Sequence, residues 1–140
     1  MNPITAIKIM LWILLAVILF HLSIILKIVP YELTWGGRLK NDSEMYVFEI
    51  ISILINLFLC VILFIKGKYI RAFLSMKIVN IILWVFLILF GLNSVGNLLA
   101  ETNFEKFFTL VTFISALLIW IILRKDRKGT HSNGFNKYGF

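Results

Sequence analysis

Two ionisable side chains, His21 and Glu49, lie inside apolar stretches of this chain. An ionisable group in hydrocarbon is expensive, so it must pair, lose its charge or face a wet cavity, and it marks a candidate site. An imidazole and a carboxyl together could hold and pass a proton, which would suit proton-coupled transport through Glu49 or acid–base chemistry on a lipid. The plainer reading is structural. Glu49 falls about one turn inside its helix, where it can reach headgroups or pair with Arg38 or Lys27 as a clasp, and His21 can be a hydrogen-bonded packing residue.

Weaker polar groups accompany this pair. Glu49, Ser52 and Asn56 are spaced i, i+3, i+7 and share one helix face. Thr109, Thr112 and Ala116 repeat that spacing in a later helix, and Asn93 and Asn97 are i, i+4. Such residues commonly hydrogen-bond between membrane helices, and the two asparagines can also cap a helix end. Counted inward, His21, Glu49, Asn93 and Thr109 lie at similar depth, so a bundle that turns these faces inward has one polar layer. In the loop Trp35-Gly36-Gly37-Arg38, Arg38 beside an aromatic could contact a headgroup phosphate or an anionic ligand. Equally, Trp35 suits an interfacial anchor and the glycines a turn.

No nucleotide, zinc-protease or serine-hydrolase motif occurs. One cysteine, Cys60, and two distant histidines give no metal or disulfide framework, and no cofactor is expected. The net charge of +7 comes from residues flanking apolar runs, which points to topology and lipid headgroups and not to nucleic acid.

Apolar runs must position these groups. Of 140 residues, 61% are hydrophobic and 15% charged, with mean hydropathy +0.97. The apolar residues fall in runs of about twenty, the length that crosses ~30 Å of hydrocarbon. Four spans are predicted, at about 4–29, 44–65, 73–99 and 104–123, in one domain over 1–123. The first lacks a small-residue cleavage site and is read as a retained helix. Pro30 is expected to end it, and Asp42 or Ser43 to cap the second. Residues 124–140 form a basic tail expected to be disordered.

The Lys/Arg distribution predicts orientation. Lys8, Lys66, Lys68, Arg71, Lys77 and the basic tail lie on the side of the termini, against Lys27, Arg38, Lys40 and Lys106 on the other. Both termini are therefore expected in the cytoplasm. Trp120, Tyr31, Trp35 and Tyr46 fall where interfacial aromatics belong.

The stretches Val29–Leu39 with Glu44–Glu49, and Leu92–Asn97 with Phe104–Lys106, resemble those of small bacterial four-span membrane proteins. That resemblance implies class and a bacterial inner-membrane location, and no activity. Small multidrug transporters are similar in size and span number, but they carry a glutamate in the first span, where this chain has no acid. The pair His21 and Glu49 resembles the membrane-embedded His and Glu of sterol isomerase-like proteins, without a matching motif around them.

The expectation is an all-α polytopic protein, an antiparallel four-transmembrane-helix bundle in a bacterial inner membrane. Its leading functional reading is non-enzymatic: a lipid, a hydrophobic small molecule, or a partner membrane subunit or second copy binds at the polar layer near the extracytoplasmic side. A small proton-coupled transporter using Glu49 and a lipid-modifying enzyme using His21 and Glu49 are the alternatives.

Overall fold

A computed structural model describes residues 1–132, with side chains described to Arg124. Among these residues the structure is all-helical: α1 (Pro3–Ile25), α2 (Asp42–Lys66), α3 (Met76–Leu98) and α4 (Asn103–Ser132), with two short 3-10 turns, Tyr31–Leu33 and Trp35–Gly37, between α1 and α2. All four helices are long and apolar enough to cross a membrane. Their outward faces are apolar too. Trp12 is 72% exposed, and Leu19, Ile88 and Leu110 are exposed on three different helices. Apolar exposure on that scale belongs in lipid and would aggregate in water.

Each helix begins on a local signal. Asn2 accepts from Ile4 N–H with Pro3 in the first turn, Asn41 from Glu44 N–H, and Ser75 from Ile78 N–H. Before α4, Thr102 Oγ1 accepts from Glu105 N–H at 3.2 Å and donates to Glu105 Oε2 at 2.8 Å, a reciprocal capping arrangement. The second helix is thus capped by Asn41, not by Asp42 or Ser43. At Asn41 the extended backbone (φ −156, ψ 168) aims the side chain back at the open N–H groups.

The first helix stops at Ile25, short of the expected end at 29. A Schellman closure forms there: Lys27 takes a left-handed φ of 57°, its N–H bonds to Ile24 O, and Ile28 N–H bonds to Ser23 O. The chain has therefore turned before Pro30. The same closure ends α2, with Lys68 at φ 60° and Tyr69 N–H on Phe64 O. Gly67 precedes it for a packing reason. A Cβ there would come within 2.6 Å of the Tyr69 ring, which packs edge-on to Phe64.

Asn93-Ser94-Val95-Gly96-Asn97 is helical, as the last turns of α3. α4 runs on to Ser132, so the first residues of the expected disordered tail continue the helix; 133–140 lie outside the described residues. Arg124 sits over the Trp120 ring at 5.0 Å, and the Arg and Lys that follow are good helix formers.

Each helix packs on its neighbours in sequence, and α1 also packs on α4. α2 and α3 pack together less than any other neighbouring pair of helices. The core is strongly asymmetric along the bundle. At the end carrying the N-terminus, Ile7, Met10 and Leu14 of α1 pack with Leu59, Ile62 and Leu63 of α2, Val79, Leu83 and Phe86 of α3, and Leu118, Ile119 and Ile122 of α4. At the end carrying the α1–α2 loop, the buried cluster is only Ile24, Leu39 and Met45. Between them lies a layer in which no described side chain is fully buried. It spans 15–23 of α1, 50–58 of α2, 87–93 of α3 and 106–114 of α4.

Candidate functional site

Glu49 is the centre of the loop end. It lies on the inward stripe Met45–Glu49–Ser52–Asn56–Leu59–Leu63 of α2, at helical 4-3-4-3-4 spacing, and has no accessible surface. Both carboxyl oxygens are engaged. Oε2 shares a hydrogen bond with His21 Nδ1 at 2.5 Å, and Oε1 accepts from Trp35 Nε1–H at 2.8 Å. Three segments are therefore joined at one carboxyl: the C-terminal part of α1, the N-terminal part of α2, and the loop between them.

Each partner is held in turn. Phe20, beside His21, packs edge-on to the imidazole and against Phe104 and Phe108 of α4. Trp35 packs on Phe48 with ring centroids 5.1 Å apart. Its backbone is left-handed, φ 56°, a conformation that disfavours a bulky residue. The indole bond to Glu49 and the Phe48 contact offset that strain. The loop's buried Thr34 donates its hydroxyl to Tyr31 O at 2.8 Å, closing the turn below Trp35.

The expected partners of Glu49, Lys27 and Arg38, are elsewhere. Lys27 Nζ donates to Asp42 Oδ2 at 2.5 Å across the loop, and Arg38 is exposed. The hydrogen bond to Asp42, and then its negative charge, raise the Lys27 pKa above its ordinary value.

The remaining polar candidates divide. Asn56 and Thr112 are half-buried. Asn56 Nδ2 donates to Ser52 O at 2.7 Å, and Thr112 Oγ1 donates to Phe108 O at 2.8 Å. Thr109 Oγ1 is buried with no partner among the described residues. Asn93 is exposed and turned away from the bundle, so it does not share a layer with His21, Glu49 and Thr109. Ser94 faces inward in its place: it is buried, and its hydroxyl reaches Thr109 O at 3.3 Å. The buried positions Val79, Leu83, Phe86 and Ser94 fix this phase, which leaves Asn93 about 100° away from the stripe. Asn97, three residues after Ser94, is half-buried.

Sequence reasoning missed Ser94 and the fully buried Ser115, whose hydroxyl bonds back to Val111 O. It also missed Lys66, which donates to Asn80 Oδ1 across the α2–α3 turn. The inward stripe was the available signal for both serines. Among the described residues no cluster of His, Cys, Asp and Glu could hold a metal. No protein-family model, curated protein or solved structure matches the chain.

Proposed function

We propose that the protein is a multi-pass protein of a bacterial inner membrane, with antiparallel helices and both termini cytoplasmic. In this reading it binds a lipid or a hydrophobic small molecule in the loosely filled layer of its extracytoplasmic half. The observation that supports this most is the core asymmetry. One end of the bundle is filled by large aliphatic side chains from all four helices, while the adjoining layer buries none fully and carries His21, Asn56, Thr109 and Thr112. Protein interiors are close-packed by default, so a layer without a fully buried side chain above a filled floor suits an occupant. The skewed Lys/Arg distribution supports the orientation.

The test is an apolar photoreactive probe applied to the reconstituted protein. Labelling is expected at Ile53, Phe90 and Phe108 and not at Leu14, Leu63 or Ile119. Uniform labelling of outward faces alone would sink the reading, and a cross-link to a second polypeptide would replace the small ligand with a partner subunit. For orientation, an impermeant thiol reagent on whole cells should modify Arg38→Cys and not Lys8→Cys, both in a Cys60→Ser background.

A proton-coupled transporter is the second reading, favoured by the direct bond between His21 and Glu49. It requires proton-driven uptake that Glu49→Gln abolishes.

A further inference from the structure

The binding layer has a definable polarity, and the His21–Glu49 pair sets it. Trp35 Nε1 can only donate, so Glu49 Oε1 is an acceptor and no proton sits there. One proton lies between Nδ1 and Oε2. If that were the only exchangeable proton on the pair, the pair would carry a net negative charge inside the bundle. An electroneutral pair keeps a second proton on His21 Nε2, whichever atom holds the first. Uncompensated charge is the costlier state in hydrocarbon, so Nε2 is an N–H donor. That nitrogen has no protein partner among the described residues, and the imidazole keeps 16% of its surface accessible.

Asn56 supplies the complementary group. It lies seven residues from Glu49 on the same stripe, about 10 Å along the helix. Its Nδ2 is bound to Ser52 O, and its Oδ1 has no donor among the described residues. Asn56 is half-buried near the middle of α2, on the inward face. An amide oxygen in that position needs a donor, and the surrounding lipid chains offer none.

The layer thus presents the His21 donor, the Asn56 acceptor and the Thr109 hydroxyl, which can do either; its one cation, Lys106, is exposed, and Glu49 at its edge is held by His21 and Trp35. We infer that the ligand is an electroneutral lipid bearing a hydroxyl, such as a diacylglycerol. Its hydroxyl can donate to Asn56 Oδ1, and its hydroxyl or ester oxygens can accept from His21 Nε2–H. An anionic phospholipid would bring an unmatched charge into the layer and is disfavoured. This inference rests on the binding reading above and names its ligand class.

The full chain in phosphatidylcholine vesicles, treated with a diacylglycerol carrying a diazirine in one acyl chain, tests it. Labelling at Ile53, Phe90 or Phe108 is expected. Unlabelled diacylglycerol should compete about tenfold better than its O-acetylated form or phosphatidic acid, the difference one hydrogen bond makes. Asn56→Leu should reduce labelling several-fold and Asn56→Gln should retain it, with thermal unfolding confirming that both are folded. Equal competition by all three lipids, or full labelling in Asn56→Leu, overturns the ligand class. A headgroup-free diazirine hydrocarbon separates the two failures. If it still labels the layer, only the hydroxyl preference is wrong; if neither probe labels it, the binding reading fails as well.

Discussion

His21 and Glu49 are 28 residues apart in sequence and 2.5 Å apart in space, and the second oxygen of Glu49 is bound to Trp35. The carboxyl has no accessible surface. Removing it strands the Trp35 indole N–H and the His21 Nδ1 at once. Glu49→Ala is therefore expected to destabilise the protein by about 3–5 kcal/mol, the range for breaking a buried pair from one side. His21→Phe should cost less. The double variant should be milder than the sum of the singles, with a coupling of roughly 0.5–3 kcal/mol in unfolding measured in mixed micelles. Strict additivity would show that the two side chains do not interact.

Trp35→Phe keeps a ring against Phe48 and deletes the donor to Glu49. The expected loss is about 1–3 kcal/mol, because a buried acceptor is left open. The loop should also become more accessible to protease between Tyr31 and Lys40. Unchanged cleavage would mean that the indole bond does not hold the loop.

Thr109 Oγ1 is a buried hydroxyl with no partner among the described residues, which is a standing cost to the fold. Thr109→Val has nearly the same shape without the hydroxyl and should raise stability, by about 1 kcal/mol. Thr109→Ser retains the hydroxyl and should give no gain. A destabilised Thr109→Val would reveal a partner for that oxygen in the membrane.

The Lys27–Asp42 pair predicts an alkaline effect of definite sign. Lys27 has its folded-state pKa raised above its ordinary value, first by the Asp42 hydrogen bond and then by its charge. The stabilisation is fully present below the unfolded pKa and disappears as pH rises through the folded one. Wild type should lead Lys27→Met slightly in thermal stability at pH 8, and the lead should vanish at strongly alkaline pH once Lys27 loses its proton in the folded state. Both partners are exposed, so added salt should shrink it at pH 8.

Gly67→Ala places a methyl group against the Tyr69 ring. The ring must leave Phe64, with an expected loss of about 1 kcal/mol. That penalty should be absent when Tyr69 is already alanine.

The spans, and a carboxyl at position 49 that must find partners inside one of them, were legible in the sequence, for related reasons. Runs of Ile, Leu, Val and Phe identify helices for lipid, and one carboxyl inside such a run conflicts with its surroundings. What Glu49 would meet was not legible. Lys27 and Arg38 were the obvious counter-charges, but Lys27 turns back on Asp42 once the Schellman closure ends α1 at Ile25. Trp35 reaches Glu49 through a left-handed backbone that no propensity favours in a tryptophan. The error at Asn93 was one of phase. Polarity drew attention to the asparagine, while the spacing of Leu83 and Phe86 already turned Ser94 inward. In lipid, apolar residues cover every face, so hydropathy fixes a span's length far better than its rotation.

The filled floor and the layer above it, where no described side chain is fully buried, also have a kinetic meaning. Amide protons of Ile62, Leu83 and Ile119 should exchange only through global unfolding, while those around Phe90, Phe108 and the start of α2 exchange through smaller, more frequent openings. At that more readily opened end the Glu49 carboxyl acts as a rivet, fastening α1, α2 and the loop between them at one point.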